Sequence, residues 1–151
     1  MNNSIDTMLS MISDDFDVKS ANMVGFDKLP DGEYEGVVDD FKGETTEKGV
    51  RYTFVFKLES GRKQFYFINL APNKMFKFNI KSLMQAIYYI SHNDKLDYSA
   101  LRYDALNDID NFVADILKEI LNKNVTFKLE TKKDFQNVIV LENTNNEEFP
   151  F

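Results

Sequence analysis

The chain has 151 residues, 43% of them apolar and 28% charged, which fits one compact domain with enough apolar material to fill a core. With no cysteine it has no disulfide, thiolate metal site or cysteine nucleophile, and its one histidine, His92, cannot make a paired-histidine zinc motif. No stretch approaches about eighteen uninterrupted apolar residues, and no basic region precedes the apolar positions of MNNSIDTMLSMISDD, so a cytoplasmic protein without membrane span or secretory leader is expected.

In chain order, residues 1–28 read as an N-terminal extension. Ile5, Met8, Leu9 and Ile12 recur at helical spacing and predict a short amphipathic helix over 4–13, which either packs on the domain or mediates homo-oligomer contacts. The turn signal Leu29-Pro30-Asp31-Gly32 opens a domain over 29–142. Alternating patterns then predict three strands, 32–42, 50–59 and 62–70, joined by GETTEKG and by a two-residue hairpin turn at Ser60-Gly61. In the second strand Tyr52, Phe54, Phe56 and Leu58 share an inward face, while Arg51, Thr53, Val55, Lys57 and Glu59 face water.

Phe76, Ile80, Leu83, Met84, Ile87 and Tyr88 keep a 3.6 period, as do Leu106, Ile109, Val113, Ile116, Leu117 and Ile120, and predict two helices. A polar connection, 91–103, separates them. Strands return over 124–130 and 138–142 around a turn near Lys132-Lys133-Asp134. Residues 143–151 are polar and aperiodic, a disordered acidic tail that nevertheless ends in two phenylalanines.

The predicted order β-β-β-α-α-β-β is mainly β with added helices. It is the order of the OB-fold, a five-stranded Greek-key barrel whose second and third strands and adjoining loops bind oligonucleotides. The net charge of −7 alone disfavours a polyanion partner, but residues 42–81 hold nine basic side chains against three acidic ones, a local +6 that leaves −13 for the rest. The candidate binding surface is therefore basic and aromatic together: Lys42, Lys48, Arg51, Lys57, Arg62 and Lys63, with Tyr66 as the ring expected to stack on bases, while a one-residue change of register would exchange its face with that of Phe65 and Phe67. Single strands require that mixture, because cations track phosphates while aromatic faces take unpaired bases. Lys128, Lys132 and Lys133 join the set from the last two strands and their turn. Lys74, Lys77 and Lys81 form one helical stripe, read as a water-facing side.

No catalytic site is signalled. Asp39-Asp40 and Asp108/Asp110 supply carboxylates without a presenting motif, and no glycine-rich phosphate loop occurs, so neither an enzyme, a metal nor a cofactor is expected.

The segment Phe26 to Val37 and the run Gly61-Arg62-Lys63-Gln64-Phe65 through Ile68-Asn69-Leu70, with Asn73 opening a helix, resemble a family of phage-encoded single-stranded DNA-binding proteins. The ending Glu147-Glu148-Phe149-Pro150-Phe151 is similar to the C-terminal tip of bacterial single-strand binding proteins. The resemblance implies an OB-like barrel that coats single-stranded DNA with little sequence preference, and a tip that recruits replication and recombination proteins through its terminal phenylalanine and carboxylate. A different class, an acidic interaction module that mimics nucleic acid before a basic host protein, is suggested by the −13 outside residues 42–81.

Overall fold

The computed structural model describes residues 29–142, and the elements below all lie in the second of the chain's two units, Asp31–Phe151. The expected N-terminal helix and the C-terminal tail lie outside the described residues. The elements are β1 (Gly32–Thr45), β2 (Val50–Leu58), β3 (Lys63–Leu70), α1 (Phe76–Ser91), α2 (Tyr98–Asn107), α3 (Ile109–Ile120), β4 (Asn124–Lys132) and β5 (Phe135–Leu141). The described residues are mainly β, one antiparallel sheet in the order β3-β2-β1-β4-β5 with three helices. Among the described residues no helix is long and apolar enough to cross a membrane.

β1 is the longest strand because it serves two partners. Its first half pairs with β4 and its second with β2, and the register shifts between Val38 and Asp40. A bulge of this kind bends a strand and increases its twist. The bend is held by two backbone hydrogen bonds across the α3–β4 turn, Val38 N–H to the Lys123 carbonyl and Asn122 N–H to the Val38 carbonyl, both 2.9 Å. At the start of β1, the Asp31 carboxylate accepts from Thr131 N–H (2.9 Å), the Thr131 hydroxyl (2.8 Å) and the Gln136 amide (3.0 Å), tying the strand to the β4–β5 hairpin.

The expected barrel closure is not made. β3 and β5 are both sheet edges, and α1 packs against both of them and against β4. In a flat sheet these edges would stand about 19 Å apart, four strand spacings, whereas a helix is only about 10 Å across. α1 has no comparable contact with β1 and β2 between them, so the sheet curls around the helix, which occupies the gap that a β3–β5 ladder would have to close.

The helical segment also differs from expectation, with three helices instead of two. α2 lies largely in the stretch read as a polar connection. The Asp97 carboxylate caps it by accepting from Ala100 N–H (3.1 Å), and Asp108, at φ −148° and ψ 70°, separates it from α3. Only Leu101 and Ala105 of α2 are buried, so it leaves no helical period in the sequence.

The core fills the concave face. Phe41, Tyr52, Phe54, Phe56, Phe112 and Phe127 are all fully buried, with Phe41 lying parallel to Tyr52 at 5.5 Å and Phe112 edge-on to Tyr52 at 5.1 Å. The Tyr52 hydroxyl donates to the Ala105 carbonyl at 2.7 Å, fastening α2 to the sheet. Gly43 lies opposite Tyr52, and a Cβ there would stand 2.5 Å from its ring and 2.9 Å from Ile109, so glycine lets the start of α3 come down on β1.

Candidate nucleic-acid interface

Strand alternation decides which side chains the β2–β3 hairpin shows to solvent. The pairs Arg51–Asn69, Thr53–Phe67, Val55–Phe65 and Lys57–Lys63 are cross-strand neighbours, so these eight residues share the convex face. β1 adds Asp40, Lys42 and Glu44 beside Val55, Thr53 and Arg51. On the far half of the same face, β4 contributes Lys128 and Lys132.

Six of the basic residues singled out in the sequence thus lie on one sheet face: Lys42, Arg51, Lys57, Lys63, Lys128 and Lys132. Lys48, Arg62 and Lys133 sit in the β1–β2, β2–β3 and β4–β5 turns at its margins. The β2–β3 turn is one residue longer than the expected tight turn. Gly61 N–H donates to the Leu58 carbonyl and Leu58 N–H to the Arg62 carbonyl, both 2.8 Å, with Gly61 at φ 92° supplying the left-handed residue of a three-residue loop.

The aromatic assignment is corrected. Tyr66 pairs with Phe54 on the concave face, its ring lying nearly parallel to that of Phe54 at 5.5 Å, and burial pushes its hydroxyl pKa up to about 12. Phe65 and Phe67 are the outward rings, 45% and 54% exposed. They lie side by side with centroids 6.2 Å apart and planes 18° from parallel, and the Arg51 guanidinium stands 5.7 Å from the Phe67 ring centre. Thr53 and Val55 are buried rather than open to water, since β3 sets these rings directly across from them. The result is an apolar floor with two exposed aromatic faces and a cationic rim.

The rim is partly paired. Lys63 reaches Asp39 at 3.1 Å and Arg51 reaches Glu44 at 3.6 Å, while Lys128 and Lys132 share Glu130 at 3.8 and 3.9 Å. Each of these side chains is more than a third exposed, and such pairs contribute only about 0–1 kcal/mol, so a phosphate can exchange for the carboxylate. The adjacent carboxylates of Asp39 and Asp40 have structural partners here: Asp39 holds Lys63, and Asp40 accepts from Phe41 N–H at 2.8 Å. Among the described residues no group of three or more His, Asp and Glu converges as a metal site.

Glu147, Glu148, Phe149, Pro150 and Phe151 lie outside the described residues. The chain matches no protein-family model, and no curated protein matches it.

Proposed function

We propose that this protein binds single-stranded DNA, with little sequence preference and without catalysis, through the convex face of the β2–β3 hairpin. The observation that carries this reading is the pair of exposed, nearly parallel rings of Phe65 and Phe67 set among Arg51, Lys57 and Lys63. Exposed phenylalanines cost solubility, and placing two of them in one cationic field suits a ligand with both apolar faces and negative charge. Unpaired bases on a phosphate backbone have both, whereas the bases of a duplex are already stacked.

The fold agrees with this use. A curled sheet in the order β3-β2-β1-β4-β5 becomes an OB-like barrel if the β3–β5 gap is counted as a seam covered by α1. The resemblance of residues 26–37 and 61–73 to phage single-strand binders supports a role in replication or recombination. In this reading the ending Glu147 to Phe151 recruits partner proteins, with Phe151 supplying buried apolar area and its carboxylate a fixed charge.

A second reading, mimicry of nucleic acid before a basic protein, draws on the exposed carboxylates Asp97, Asp108, Asp110 and Asp115 of the α2–α3 segment. One experiment separates the two. In a fluorescence-anisotropy titration, a labelled oligo-dT of about 30 nucleotides is compared with a duplex of equal length at two salt concentrations. Tight binding of the single strand alone, weakening as salt rises, is expected. Indifference to both nucleic acids favours the acidic surface instead.

A further inference from the structure

The sharpest charge asymmetry in the chain is not on the hairpin alone. From Ser60 to Asn93 there is no acidic residue, although the whole chain has 25, and within that stretch Arg62, Lys63, Lys74, Lys77 and Lys81 are all basic. The last three belong to α1 and its approach. Lys77 lies in the first helical turn, where the macrodipole disfavours cations, and no acidic residue balances it there. Local helix stability would be served by the opposite charge at this position, so Lys77 acts against the helix that carries it.

Among the three lysines projects Phe78, 62% exposed, more than Phe65 or Phe67. At 100° per residue, Phe78 and Lys81 lie on one side of α1 with Lys77 along its edge, away from the buried Leu83 and Ile87, and Lys74 precedes them in the turn that leads into the helix. This side of α1 therefore resembles the hairpin in setting an exposed ring among lysines.

It is also physically continuous with the hairpin. Arg51 Nε donates to the Asn69 side chain at 3.1 Å on the convex face, and the Asn79 amide, one residue beyond Phe78, donates to the Asn69 carbonyl at 2.9 Å. Because β3 is a sheet edge, no further strand stands between Phe67 and α1.

We propose that Phe78, with Lys74, Lys77 and Lys81, forms a second nucleic-acid contact that carries a single strand from the hairpin face over the edge of β3 onto α1. This inference rests on the single-strand reading of the hairpin and extends its path to a helix. Phe78 stacks on a base beyond those held by Phe65 and Phe67, and the three lysines neutralise the adjoining phosphates.

The test is an anisotropy titration of labelled oligo-dT of about 30 nucleotides with the unaltered full chain and three variants: Phe78→Ala, K74Q/K77Q/K81Q, and Phe65→Ala/Phe67→Ala. Thermal unfolding of each variant checks that it is folded. Phe78→Ala is expected to weaken binding about tenfold. The lysine variant is expected to reduce the slope of log K against log salt by about 2, from about 0.7 per phosphate contact. If the Phe65/Phe67 variant loses binding while both α1 variants keep the affinity and salt slope of the unaltered chain, the α1 path is wrong and the hairpin reading stands. If the unaltered chain ignores the oligonucleotide, both fall together.

Discussion

Both faces of the β2–β3 hairpin carry aromatic rings, in opposite surroundings. On the concave face Tyr52, Phe54, Phe56 and Tyr66 press against one another and against Phe41, Phe112 and Phe127, and three of the four are fully buried. On the convex face Phe65 and Phe67 lie beside each other, Arg51 and the cross-strand Val55 and Thr53, and about half of each residue is in water. An aromatic residue in this hairpin is thus buried or exposed according to strand parity. What distinguishes the two sets is the company they keep, cross-strand rings on one side and cross-strand cations on the other.

That contrast breaks most visibly at its concave side. Phe54→Ala removes a fully buried ring from the centre of the cluster and should destabilise the fold by about 3–5 kcal/mol, read by urea denaturation. The convex counterpart, Phe65→Ala/Phe67→Ala, should leave the unfolding midpoint nearly unchanged while weakening oligo-dT binding by roughly ten- to a hundredfold, since each lost stack is worth about 1–3 kcal/mol. Loss of stability in place of affinity would put these rings in the structural set. Tyr52→Phe keeps the ring and removes only the hydroxyl that donates to the Ala105 carbonyl, so a loss of about 1–2 kcal/mol with unchanged DNA affinity is expected.

Smaller effects sharpen the division. Arg51→Gln should shorten the salt slope by about 0.7 and leave stability within roughly 1 kcal/mol, because its pairing with Glu44 is at the surface. The concave face has a pH signature of its own. In the unfolded chain a tyrosine ionises near pH 10, whereas half-buried Tyr66 stays neutral up to about 12, and burial shifts Tyr52 upward as well. Both groups are protonated in both states below pH 10, so their contribution is complete there and is lost as pH rises from about 10 through 12. Thermal melts across that range should fall more gently for Tyr66→Phe than for the unaltered chain.

Much of this arrangement is legible in the sequence. The alternation in 50–59 identifies Tyr52, Phe54 and Phe56 as core, and the basic residues of the hairpin mark its exposed side, because charge and period 2 reinforce each other there. The strand 62–70 is less informative. Five apolar residues occur among Phe65, Tyr66, Phe67, Ile68 and Leu70, and polarity favours Tyr66 as the wet ring, yet pairing with Phe54 turns it inward. Only the cross-strand register settles parity. α2 escapes detection because two buried side chains make no periodic pattern, and its start and stop depend on the backbone geometry of Asp97 and Asp108. The open β3–β5 gap is likewise a tertiary matter, a consequence of where α1 packs. The exposure of Phe78 is also not legible, because the lysines around it read as the water-facing side of a helix.

Photo-cross-linking tests the convex face most directly. An oligo-dT carrying iododeoxyuridine, irradiated in complex with the full chain, cross-links to rings on which its bases stack, and peptide mass analysis locates the adducts. Adducts on Phe65 and Phe67 are the expected result. A bound oligonucleotide whose adducts fall only on the β4–β5 hairpin, or on no residue of β3, would contradict the assignment of the aromatic pair as the base-stacking platform.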